Sequence, residues 1–103
     1  MVFGYIFSSV ECQDIYSEID ELNKYGVDEI RIDKTRNPKD RIQFKLLKNK
    51  LQNGDTLVLK RLNSLGRGKK QIKSHWKELK ALGINIVVLD EQIEQIKAYL
   101  NIN

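Results

Sequence analysis

The sequence predicts a single α/β domain, a four-stranded, mainly parallel sheet flanked by helices in three layers. Three observations predict it. Short apolar runs recur along the chain, at 2–7, around Ile30 and Ile32, at 56–62 and at 84–89. Between them lie segments whose apolar residues fall three and four apart, the spacing of a helix face. Strands alternating with helices at such short intervals imply right-handed crossovers and a parallel sheet. At 103 residues the length is that of about one small domain, so residues 1–103 are read as one unit.

Each element has a local reason. Val-Phe-Gly-Tyr-Ile-Phe at 2–7 is a nearly continuous apolar run, as expected of a strand covered on both faces. Ser8 and Ser9 follow, and either can cap a helix by accepting a bond from its free N–H groups. In that helix Cys12, Ile15, Tyr16, Ile19 and Leu22 form one expected buried stripe, which Gly26 ends. Ile30 and Ile32 mark the second strand. The polar stretch 34–40, with the only proline, Pro38, is a loop. The second helix is expected from about Arg41 to Gln52, with Phe44, Leu47 and Leu51 as its apolar face, and Asn53-Gly54-Asp55 turns the chain. The third strand runs to Leu62. After the glycines at 66 and 68, Ile72, Trp76 and Leu79 mark a third helix closed by Gly83. The fourth strand ends at Leu89, and a tail helix over about 90–102 places Ile93, Ile96 and Leu100 on one side.

Charge is distributed unevenly. The net charge is only +4, but between Arg31 and Lys73 fourteen basic residues face three acidic ones, an excess of eleven, and the rest of the chain carries an excess of seven negative charges. Such a split concentrates positive potential on one side and suits a polyanion. No apolar run approaches the roughly 20 residues of a membrane-spanning helix, and no charged leader opens the chain, so a cytoplasmic protein without membrane contact is expected. A single Cys12 cannot form an internal disulfide, and one His75 offers no zinc cluster. No metal and no small-molecule cofactor is expected.

In a parallel sheet the functional edge is where the carboxyl ends of the strands meet their loops. Those loops hold Ser8 and Ser9, then Lys34, Arg36, Lys39 and Arg41, then Asn63, Ser64 and Arg67, with the acidic residues expected elsewhere. Hydroxyls, guanidiniums and a helix amino terminus on one edge are what a phosphodiester needs. A serine attacking phosphorus builds negative charge on the phosphoryl oxygens, which arginines stabilise. A Ser-His-Asp triad is not indicated, because His75 lies within a helix pattern and no Gly-x-Ser-x-Gly turn exists. Phosphate-binding and dinucleotide glycine loops are absent as well.

Phe3-Gly4-Tyr5-Ile6-Phe7-Ser8-Ser9, the pairs Asp33-Lys34 and Asp40-Arg41, the run Gly54-Asp55-Thr56-Leu57-Val58-Leu59 and the segment Leu62-Asn63-Ser64-Leu65-Gly66-Arg67 resemble the catalytic domain of serine recombinases, the resolvases and invertases. The resemblance runs in order from Phe3 to about Leu89. It implies the resolvase-type three-layer fold, DNA as partner, a serine that becomes covalently linked to a 5′ phosphate, arginines around that phosphate, and no metal. By that resemblance the nucleophile falls on Ser9, with Arg41 and Arg67 as catalytic arginines and Ser8, Lys34, Arg36, Arg61 and Ser64 as phosphate- or DNA-contacting residues.

The sequence departs from the family pattern in places that matter. The arginine of the motif Tyr-x-Arg-x-Ser falls on Phe7, the Asp-Arg of Leu-Asp-Arg-Leu-Gly-Arg falls on Asn63-Ser64, and a glutamine usual on the first helix falls on Glu18. Removing one oxyanion donor costs about 10²–10³ in rate, so the expected activity is weak or absent and the expected role is that of a DNA- or recombinase-associated accessory protein. Arg61 and Arg36 are the candidates to replace the lost arginines, Arg61 by sharing a strand face with Asn63. The alternatives are an active DNA-cleaving recombinase fragment and a protein-interaction module without nucleic acid. The tail helix could pair two copies, or this chain with another recombinase.

Overall fold

A computed structural model describes residues 1–8, 15–35, 41–66 and 68–101. The elements are β1 (Val2–Ser8), α1 (Ile15–Tyr25), β2 (Glu29–Lys34), α2 (Ile42–Lys50), β3 (Thr56–Leu59), a 3₁₀ turn (Leu62–Leu65), α3 (Lys69–Ala81), β4 (Asn85–Val88) and α4 (Ile93–Leu100). The strands form one sheet in the order β2-β1-β3-β4, every neighbouring pair parallel. The expected α/β sandwich is therefore the architecture found.

The layers follow from handedness. The chain steps from β1 outward to β2, then back across β1 to β3 and onward to β4. Right-handed crossovers in opposite directions put their helices on opposite faces. Accordingly Phe3, Tyr5, Leu57 and Leu59 of the sheet pack with Phe44 and Leu47 of α2, Ile72, Trp76 and Leu79 of α3, and Ile96 and Leu100 of α4. Among the described residues the opposite face is covered by α1, with Leu22, Ile15 and Ile19 against Ile6, Val58, Val2 and Ile30. Alternate residues of β1 thus serve opposite cores, the period of two that pleating dictates.

Two glycines are required by geometry. A Cβ on Gly4 would lie 3.0 Å from Leu22 Cδ1, so glycine lets α1 settle onto β1. Gly26 ends α1 at φ +104°, a conformation that costs an L side chain strain.

Several expectations need correction. Tyr16 is 77% exposed, so the stripe of α1 narrows to Ile15, Ile19 and Leu22. These lie at i, i+4 and i+7, while position 16 is turned about 100° away. Ile93 is exposed, and α4 is anchored by Ile96 and Leu100 only. The third strand stops at Leu59 rather than Leu62, because Asn63 and Ser64 favour a turn and the 3₁₀ spacing of three buries both Leu62 and Leu65. Arg61 and Asn63 therefore do not share a strand face. The Cys12 and Pro38 readings and the serine cap at Ser9 lie outside the described residues.

His75, on α3, stands edge-on to Phe44 at 5.0 Å between ring centroids, and its Nδ1 is buried without a hydrogen-bond partner among the described residues. Burial, reinforced by the positive charges of Lys48 and Arg41 and opposed by Glu78, holds its pKa below the ordinary 6.5. The unfolded chain then binds a proton more readily than the folded one. Stability is complete above the ordinary value and falls as pH drops through the folded one. Urea midpoints of the wild type are expected to decline as the pH is taken down through about 6.5 and below, and His75→Gln to flatten that decline. An unchanged slope would assign the acid sensitivity elsewhere.

Candidate functional site

The carboxyl ends of β1, β2 and β3 meet on one edge, and a small polar network beneath it positions the loops. It starts at Tyr5, fully buried in β1. A phenol inside an apolar strand needs a partner, and Tyr5 Oη donates to Asp33 Oδ2 at 2.7 Å. Asp33, at the end of β2 and 5% exposed, also accepts from the backbone N–H groups of Gln43 (2.8 Å) and Phe44 (2.9 Å). These are free donors of the first turn of α2, whose own flanking residue, Arg41, supplies no side-chain cap. Asp33 therefore caps α2 from another element, and its charge is favourable there.

Arg41 completes the network. Its Nε donates to Tyr5 Oη at 3.3 Å, Nη1 to the Leu65 carbonyl at 2.6 Å and Nη2 to the Ser64 carbonyl at 2.5 Å. The guanidinium carbon also lies 5.4, 4.8 and 4.3 Å from the ring centroids of Tyr5, Phe7 and Phe44, so the charge rests among three aromatic faces. Burial is the main reason that the Tyr5 hydroxyl is pushed well above its ordinary pKa, and the neighbouring Asp33 adds to it against Arg41. The phenol stays protonated and keeps donating.

The candidate residues thus separate. Ser8 and Lys34 are register partners at the ends of β1 and β2, Ser8 buried and Lys34 exposed. Arg41 joins Ser64 and Leu65 through their carbonyls, and at 4% exposure its guanidinium lies inside the domain. Ser64 is buried as well. Arg61 projects at the end of β3, its side chain about half exposed, and approaches Asp90 at 3.4 Å. Ser9, Arg36 and Arg67 lie outside the described residues, as does Asp40.

The acidic residues are not remote from this edge, contrary to the expectation. Lys60 hydrogen-bonds Glu21 and lies 3.6 Å from Asp90. Burial raises the pKa of Glu18, against the pull of Arg61 and Lys60. A helix between parallel strands must run antiparallel to them, which returns the amino-terminal half of α1, with its carboxylates, to the carboxyl ends of the sheet. Among the described residues no group of three or more His, Cys, Asp and Glu is arranged to hold a metal ion, and no helix is long and apolar enough to cross a membrane.

Sequence reasoning missed Tyr5 and Asp33 as organisers of the edge. The available signal was a lone hydroxyl in an apolar strand facing an aspartate at the end of the neighbouring strand.

The doubly wound parallel sheet, with Ser8, Lys34 and Arg61 at the carboxyl ends of its strands, defines an α/β domain of the three-layer class. The family model for the resolvase N-terminal domain matches residues 2–101, and the chain belongs to this family, the catalytic domains of serine recombinases. It is 30% identical over 95 residues to the resolvase of transposon Tn917 from Enterococcus faecalis, covering 91% of this chain and 52% of that protein. It is 35% identical over 95 residues to the serine recombinase Gin of Escherichia phage Mu, covering 91% of this chain and 49% of that one. The chain spans about half the length of these relatives.

Proposed function

We propose that this chain serves DNA recombination as a serine-recombinase-type domain whose strand-transfer chemistry is weak or lost, acting on DNA or beside another recombinase as an accessory. The observation that carries this reading is the state of Arg41. In the family pattern arginines surround the phosphate, but here Phe7 stands at one such position and offers its ring to Arg41, while two backbone carbonyls and Tyr5 occupy the guanidinium's donors. A cation held this way organises the turn that leads to Arg67 and leaves the phosphate to other groups. By the family pattern Ser9, Lys34, Arg36, Arg61 and Arg67 are the side chains that would meet DNA, while Ser8 is buried at the end of β1. Asn63 and Ser64 stand where the family has its Asp-Arg pair.

Loss of two preorganised donors lowers transition-state stabilisation by about 10⁴–10⁶ in rate if the losses are independent. A nicked suicide substrate incubated with the wild type is therefore expected to accumulate no covalent adduct, while duplex DNA is bound with a steep salt dependence of about 0.9 log units per phosphate contact. An adduct that disappears in Ser9→Ala would overturn the loss of chemistry and establish an active nucleophile. No duplex binding at low salt would instead favour a protein-interaction role.

A further inference from the structure

Beside the edge lies a groove that the buried network of Tyr5, Asp33 and Arg41 does not line. It opens between the 3₁₀ turn, α3 and α4, has a volume of about 300 Å³, and is floored by Leu62, Ile72 and Ile96. Ligand pockets span roughly 300–1,000 Å³, so this one is of a size for one ring system with a short polar tail. Its rim is chemically mixed. Tyr99, 47% exposed, supplies an aromatic face, and Lys69 Nζ sits 5.5 Å from that ring's centroid. Asn63 and Gln95 supply carboxamides, each both donor and acceptor, Glu91 supplies a carboxylate, and Arg61 supplies a guanidinium.

We infer that this groove receives a single unpaired nucleobase, with the attached phosphate toward Arg61 and Lys69. An apolar floor and a tyrosine ring offer the flat, desolvated contact that bases take in single-strand recognition. Two carboxamides at the mouth can answer the hydrogen-bonding edge of a base. Glu91 makes the choice among bases. A carboxylate accepts only, so it suits guanine, whose adjacent N1–H and N2–H groups match its two oxygens, and it repels thymine, whose single N3–H is flanked by carbonyls. Among the described residues Arg61 makes an exposed contact with Asp90 at 3.4 Å and lies within the field of Glu18, pairings weak enough to yield to a phosphate. In its DNA form this inference rests on the reading given under Proposed function, since Arg61 and Asn63 belong both to the groove and to the edge assigned to DNA.

Two probes test it. Guanosine 5′-monophosphate titrated into the isotopically labelled chain should shift the resonances of Tyr99 and Gln95, and thymidine 5′-monophosphate should not. A duplex bearing one bulged guanine should bind about tenfold more tightly than the same duplex fully paired, the scale of one base–aromatic stack. Tyr99→Ala should remove both effects and Tyr99→Phe should retain them. Shifts with the mononucleotide but no advantage for the bulge would support the site and assign it to a free nucleotide. Absence of both effects would overturn the inference even if the paired duplex still binds. Loss of all duplex binding with the mononucleotide shifts intact would count against the DNA reading alone.

Discussion

Replacing Asp33 by alanine is expected to lower the unfolding free energy by about 3 kcal/mol, from loss of a helix cap at ~1 kcal/mol and of partners for buried donors at about 1–3 kcal/mol. One carboxylate currently answers three donors, the Tyr5 hydroxyl and the N–H groups of Gln43 and Phe44. Alanine leaves all three without this acceptor, two of them, the Tyr5 hydroxyl and the Phe44 N–H, in buried positions. Asp33→Asn keeps an acceptor oxygen and loses the charge that favours the first turn of α2, so it should fall between wild type and alanine. Urea unfolding of the three proteins measures the order. Equal midpoints for wild type and alanine would show that water or a rearranged side chain satisfies α2 without Asp33.

The second large effect is expected for Arg41. Arg41→Ala removes the donors that hold the Ser64 and Leu65 carbonyls and vacates the space between Tyr5, Phe7 and Phe44. With two buried acceptors orphaned and a cavity opened, the loss is about 4 kcal/mol. Arg41→Lys is not a mild change here, because an ammonium cannot fork to two carbonyls while lying flat among rings. A local signature separates this role from general destabilisation. Amide exchange at Ser64 and Gly66, whose N–H groups bond to the Arg61 and Asn63 carbonyls, should accelerate under conditions where β1 remains protected. If stability changes by less than about 0.5 kcal/mol, the value usual for surface substitutions, Arg41 is not the anchor of the turn.

Much of the architecture was legible in the chain, for a physical reason. A strand buried on both faces must be apolar throughout, a helix covering it must be apolar on one stripe, and handedness then settles which face each helix takes. Residues whose environment depends on one face alone were harder to read. Tyr16 and Ile93 look like core residues by composition and by proximity to the stripe, yet each is turned far enough from it to meet solvent. The candidate edge was legible in its basic side and not in its acidic one. Glu18 and Glu21 are about forty residues from Lys60 and Arg61, and only the reversed run of α1 across the sheet brings them together. Arg41 was the least readable residue of all. Charged side chains are rarely interior, and what admits this one is a pair of carbonyls more than twenty residues away together with three rings.

The network around Tyr5 ties together segments that are far apart along the backbone: the first strand, the end of the second, the opening of the second helix and the turn after the third strand. Each supplies a donor or an acceptor that the next one lacks. The rim that would greet a ligand is therefore built as a keystone arch, and a flaw introduced at any one stone should be felt at every other.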